Sequence, residues 1–175
     1  MFKIYLKCSL GTGASHGPTG RCRHILQGVL LSLLLCGSGC HSIQTLPAVN
    51  LFDHGWVTRQ GQAVWRPKKE GPEIAGELLV ATNPDGRSFV QFTKTPLPFV
   101  VAQSTASSWQ IQFVPNNKTY SGRGTPPSRL VWLWLPRVLS GSSPPKSWSW
   151  RRLEGDRWRL ENPRTGEFLE GYLNP

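Results

Sequence analysis

The side chains best suited to chemistry in this chain are four cysteines, Cys8, Cys22, Cys36 and Cys40, and all lie within the first 40 of 175 residues. A thiol can attack a substrate, bind a metal, pair in a disulfide or carry a lipid. With no cysteine after Cys40, the rest of the chain has neither a disulfide framework nor a four-cysteine zinc site. Other catalytic groups are sparse. Beyond Cys40 the histidines are His41 and His54. Asp53 beside His54 has the composition of an acid–base pair, but adjacent residues on an extended chain point apart. Glu73 and Glu77 would share one face of a strand. No nucleophile elbow, phosphate loop or metal-binding helix is present, and Gly122-Arg123-Gly124 lacks the strand-to-helix context of a phosphate cradle. The expectation is a protein with no catalytic residues, no metal and no cofactor.

The charge bounds the partners. The formal net charge is +10, and the first 39 residues contribute Lys3, Lys7, Arg21 and Arg23 with no acid. That leaves sixteen basic and ten acidic residues for the remainder, a balance suited to anionic surfaces such as lipid headgroups, cell-wall polymers or nucleic acid. Arg21, Arg23 and His24 precede an apolar run from Ile25 to Leu35, interrupted by Gln27, Gly28 and Ser32. The run is too short for a spanning helix, which needs roughly 20 apolar residues. A basic flank, a short apolar segment and small residues after it have the anatomy of a secretory signal. Leu33-Leu34-Leu35-Cys36-Gly37-Ser38-Gly39-Cys40 resembles a bacterial lipobox, with Ser38 and Gly39 as the small residues before the cysteine and Gly37 where Leu is usual. The resemblance implies acylation of Cys40 and cleavage just before it. An ordinary cleaved signal and a buried N-terminal helix are the alternatives. The expected organisation is a signal peptide over 1–39 with an extended basic start, a lipidated tether over 40–54, and one β-rich domain over 55–175. Such a protein would face the periplasm of a bacterial envelope, anchored to a membrane, with the outer membrane favoured because His41 and not Asp follows the cysteine.

From residue 56 the pattern alternates with period two and is punctuated by turn residues. Strands are expected at Gln62–Trp65, Glu73–Ala81, Ser88–Thr93, Phe99–Gln103 and Trp109–Phe113. In the last of these Trp109, Ile111 and Phe113 face a core while Gln110 and Gln112 face water. Thr125-Pro126-Pro127-Ser128 reads as a helix start, with Ser128 as a cap, and Arg129–Leu139 is densely apolar up to Gly141. Pro136 predicts either a short bent helix or a helical turn followed by an extended piece. Alternation returns at Trp148 and Trp150, at Trp158 and Leu160, and over Phe168–Leu173. The expected fold class is α+β, mainly antiparallel: an incomplete β-barrel or strongly curved sheet with one short helix inserted before the last strands.

All eight tryptophans follow Cys40: Trp56, Trp65, Trp109, Trp132, Trp134, Trp148, Trp150 and Trp158. Tryptophan suits cores, interfaces and apolar clefts alike. On one helix Trp132 and Trp134 point about 200° apart, so one must meet something other than the core. Aromatic residues interleaved with arginine from Trp148 to Arg159 also have the composition of a base-stacking platform, but export argues against nucleic acid as a partner.

The order of elements is similar to that of the LolB-like outer-membrane lipoproteins. Leu133-Trp134-Leu135-Pro136-Arg137-Val138-Leu139-Ser140-Gly141 resembles that family's helix with its terminal Gly, and Gly155-Asp156-Arg157-Trp158-Arg159-Leu160 its following strand. The resemblance covers roughly residues 61–175. It implies an incomplete barrel whose apolar cavity accepts an acyl chain, here expected to be lined by Val90, Phe92, Trp109, Ile111, Phe113, Trp132 and Trp134. The alternative expectation is a structural or assembly lipoprotein that binds another envelope protein or the cell wall. A cavity able to hold a chain separates the first from the second.

Overall fold

The structure is a computed structural model in which residues 45–174 are described; the leader and Cys40 lie outside them. Nine strands are described: β1 (Val57–Arg66), β2 (Ile74–Thr82), β3 (Ser88–Lys94), β4 (Leu97–Ser104), β5 (Ser108–Phe113), β6 (Lys118–Arg123), β7 (Ser149–Arg152), β8 (Trp158–Asn162) and β9 (Glu167–Leu173). They form one antiparallel sheet in the order β6-β5-β4-β3-β2-β1-β9-β8-β7. The chain meanders outward from β1 to β6, passes through helix α1 (Val131–Leu139), then returns so that β9 pairs with the free side of β1. The sheet does not close: β6 and β7 are its two edges. The fold is therefore mainly antiparallel β, a curved open sheet with one short helix before the last three strands.

Turn chemistry fixes this path. Asn83-Pro84-Asp85-Gly86 joins β2 to β3, with Gly86 at φ +89° and the Gly86 N–H donating to the Asn83 carbonyl at 3.0 Å; only glycine takes that conformation without strain. β6 is a strand that period and hydropathy do not reveal. Its residues Lys118-Thr119-Tyr120-Ser121-Gly122-Arg123 carry a single large apolar side chain, and β6 forms by completing the hydrogen bonds of β5, Ile111 opposite Tyr120 and Trp109 opposite Gly122. At Gly122 a Cβ would stand 2.5 Å from Cζ2 of Trp109. The glycine thus lets the indole lie flat against the edge strand.

Alternation along the strands separates two faces. Val90, Phe92, Val100, Ala102, Trp109, Ile111, Trp65 and Leu78 point to an inner face and are buried. α1 covers them, burying its own Val131, Trp132, Leu133, Leu135, Pro136 and Val138. The helix runs unbroken through Pro136 to Leu139. The proline removes one intrahelical donor near the C-terminus, and burial of the apolar face outweighs it. Gly141, at φ +95°, ends the helix by donating its N–H to the Val138 carbonyl at 3.0 Å. Ser128 is not the cap. The helix starts three residues later at Val131, behind Leu130, which makes no side-chain cap bond; the Ser128 carbonyl instead accepts from Trp148 Nε1 at 2.8 Å.

The two helix tryptophans diverge as helical geometry requires. Trp132 is 1% exposed, and its ring centroid lies 5.2 Å from that of Phe92 and 5.5 Å from that of Trp65. Trp134 is half-buried on the far side, donating to the Pro127 carbonyl at 3.3 Å beneath the Arg137 guanidinium. Trp132→Ala should therefore cost about 3–5 kcal/mol, and Trp134→Ala about 1 kcal/mol. Chemical denaturation of both variants checks the ranking; equal losses would place both rings in the core.

A second pair tests the strand register. Ile111→Asp should prevent folding, because it drives a charge into the fully buried inner face. Gln112→Asp, one residue on and facing outward, should melt within a few degrees of wild type.

Candidate functional site

Of the residues expected to line an acyl cavity, Val90, Phe92, Trp109, Ile111 and Trp132 all belong to one buried apolar cluster beneath α1, with Phe113 packed against its edge. They are brought together, but against one another. Trp65 bridges them: its ring stacks on Phe113 at 6.2 Å and meets Phe99 edge-on at 6.0 Å. Trp134 is the exception, facing away from the cluster. The indole N–H groups of Trp109 and Trp132 are buried without an acceptor among the described residues. Such a donor costs about 1–3 kcal/mol.

At the rim of this cluster the Trp65 Nε1–H donates to Glu167 Oε1 at 3.1 Å. Burial raises the Glu167 carboxyl to about 7, and the Trp65 hydrogen bond only partly offsets it. The interleaved Trp and Arg of the C-terminal strands separate by face. Trp158 is buried on the inner side and stacks on Trp150 at 5.8 Å. The arginines point outward into a lattice of ion pairs: Arg159 bridges Glu161 and Glu170, each at 3.0 Å, Arg151 reaches Glu161 at 3.2 Å, and Arg157 also engages Glu170. The Arg159 hydrogen bond holds the Glu161 carboxyl below its usual range. Phe168 lies between the guanidinium groups of Arg66 and Arg159, 4.5 and 4.1 Å from its ring centre.

Two grooves among the described residues lie on the outer face. One groove of about 580 Å³ is lined by Gln62, Val64, Ala75, Glu77, Lys94 and Tyr172 among others. A second, of about 470 Å³, is lined by Gln60, Leu79, Gln91 and Thr93, and shares Gln62, Glu77 and Tyr172 with the first. The two grooves adjoin at Gln62, Glu77 and Tyr172, on β1, β2 and β9. Strand alternation explains its chemistry: Gln60, Gln62, Gln91, Gln103, Gln110 and Gln112 all occupy outward positions, giving a face of neutral amides. Sequence reasoning assigned Gln110 and Gln112 to solvent, but a site on that face became legible only when strand pairing aligned the glutamines.

Part of this face is occupied by the chain itself. The segment read from sequence as a tether is held to it at Leu46. Leu46 N–H donates to Gln110 Oε1 at 2.7 Å, and the Leu46 carbonyl accepts from Gln103 Nε2 at 3.4 Å. The other sequence candidates are not brought together. Asp53 accepts from Asn50 Nδ2 at 2.7 Å. His54 contributes its carbonyl to Asn83. Glu73 precedes β2 and pairs with Arg66 at 3.7 Å, whereas Glu77 sits in the trough. No group of His, Cys, Asp or Glu among the described residues could hold a metal ion, and no described helix is long and apolar enough to cross a membrane.

Glu167 gives this site a pH signature. Its folded pKa of about 7 lies above the ordinary carboxyl value of 4.5, so the folded state binds the proton more tightly than the unfolded chain. Its contribution is fully present below pH 4.5 and is lost as pH rises toward 7. Wild type should lose stability across that window, whereas Glu167→Gln should lose much less. Denaturation midpoints at pH 5 and pH 8 measure the difference; parallel curves for the two proteins would contradict it. The chain matches no protein-family model and no curated protein.

Proposed function

We propose that this chain is a lipid-anchored, non-catalytic lipoprotein of a bacterial envelope, facing the periplasm, that holds another envelope component on the outer face of its sheet. One observation carries the reading. The inner face, where an acyl chain would lodge, is packed by α1 through Trp132, Phe92 and Trp65, while the outer face carries two open grooves with Gln62, Glu77 and Tyr172 in both linings. The lipobox-like segment ending at Cys40 supports the anchor, and the poverty of catalytic groups supports binding over bond cleavage. The excess of basic residues suits an acidic partner.

The acyl-carrier reading, to which the LolB-like resemblance points, is favoured by a different observation. Trp109 and Trp132 keep buried indole donors without acceptors, and a carboxyl or ester oxygen entering beneath a displaced α1 would accept from them.

One measurement tests the anchor that both readings share, and a second separates them from each other. Cys40→Ser should leave an uncut precursor or release the protein from the membrane fraction, since one acyl chain anchors marginally and several anchor stably. Fractionation and migration identical to wild type would refute the anchor. A fluorescent fatty acyl probe should then show no saturable binding to wild type. Saturable binding that is lost in Trp132→Phe would overturn the outer-face reading in favour of the inner cluster.

A further inference from the structure

We propose that the outer trough binds an extended polypeptide segment, clamping the N–H and C=O of one residue between Glu77 and Gln62 and placing a neighbouring acidic side chain against Lys94. This inference rests on the outer-face reading above and names the chemistry of its partner.

The clamp is already visible once on the same face. Gln103 and Gln110 are directly opposed on β4 and β5. Between them they take both backbone groups of Leu46, one amide accepting its N–H and the other donating to its carbonyl. An extended residue sends its N–H and C=O to the same side. Side chains opposed across an antiparallel pair stand about 4.5–5.5 Å apart, so two of them can reach both groups. Gln62 and Glu77 are a second such pair, directly opposed on β1 and β2. Neither side chain has a hydrogen bond or ion pair among the described residues. The carboxylate accepts an N–H, and the amide donates to a carbonyl. A charge-assisted bond at Glu77 makes this clamp stronger than the Leu46 one.

The surroundings fit a chain lying across the strands. Gln62 and Glu77 line both parts of the trough, so the clamp sits at its middle. Ala75, Gly61 and Gly171 give its floor little side-chain bulk, and Tyr172, 37% exposed, offers a wall. The charges point to the sequence of the occupant. Lys94 is exposed at one end of the trough with no ion pair among the described residues, whereas Arg157 is already engaged by Glu170. An acidic side chain next to the clamped residue would meet Lys94.

The test begins by panning a display library of random twelve-residue peptides against the full protein purified in detergent. The best peptide is then resynthesised with each backbone nitrogen methylated in turn. The expected result is enrichment of Asp and Glu, one position where N-methylation costs at least tenfold in affinity, and a similar loss in Glu77→Ala and in Gln62→Ala. Both variants should melt as wild type does, and Lys94→Ala should weaken only the acidic peptides. Failure to select any peptide, or peptides indifferent to both N-methylation and Glu77→Ala, overturns the inference. Oligomers of N-acetylglucosamine are the parallel probe. If they bind, and Glu77→Ala and Tyr172→Ala weaken them while peptides do not bind, the occupant is a glycan: the peptide inference falls and the outer-face function stands. If neither probe binds and the acyl probe does, both fall together.

Discussion

Trp132 presses its indole onto Phe92 and Trp65 where α1 meets the sheet, and most of the molecule depends on that contact. A nine-stranded sheet left open at β6 and β7 exposes one broad apolar face. It has no second sheet to cover that face, so one nine-residue helix must do so. Such a helix is too short to be stable alone. It holds because six of its nine residues are buried against the strands, and the strands in turn lose their exposed apolar surface to it. Helix and sheet are therefore one cooperative unit, and the ligand space that an open barrel might offer is taken up by the protein's own side chains.

That filling shifts attention to the other side of the sheet. Alternation places apolar side chains inward and leaves outward positions for residues that can meet water. Here those positions carry glutamine more than charge through β1 to β5, and ion pairs across β7, β8 and β9. The two regions differ physically. The arginine and glutamate lattice satisfies itself, and its members are committed to one another. The amide region is only partly satisfied: Gln103 and Gln110 grip Leu46, while Gln62 and Glu77 stand open. Neutral amides cost little to leave in water and lose little on exchanging it for a backbone.

The N-terminal segment changes meaning in this setting. Its composition, with Pro47 and no period, is that of a linker. In the fold its backbone at Leu46 is captured by two side chains that are 57 and 64 residues away. The segment is thus part of the folded domain at Leu46 and not free of it.

The sequence by itself determined the fold class, most strand positions and the two-faced character of the sheet, because those follow from local alternation and turn residues. Trp109-Gln110-Ile111-Gln112-Phe113 declares its inner face without any neighbour, and Asn83-Pro84-Asp85-Gly86 declares its turn. The divergence of Trp132 and Trp134 likewise follows from helical geometry alone. Tertiary structure decided the rest. β6 exists because β5 offers it a ladder, which no property of Lys118–Arg123 announces. Ser128 is not the cap because the helix begins only at Val131, three residues beyond it. The cluster of Val90, Phe92, Trp109, Ile111 and Trp132 was legible as apolar, but whether it encloses a cavity or a core depends on the depth to which α1 sinks, a property of packing across long sequence separations. The outer trough was invisible for the same reason: Gln62 and Glu77 become partners only through the register of β1 on β2, and register is set by the whole sheet, not by either residue.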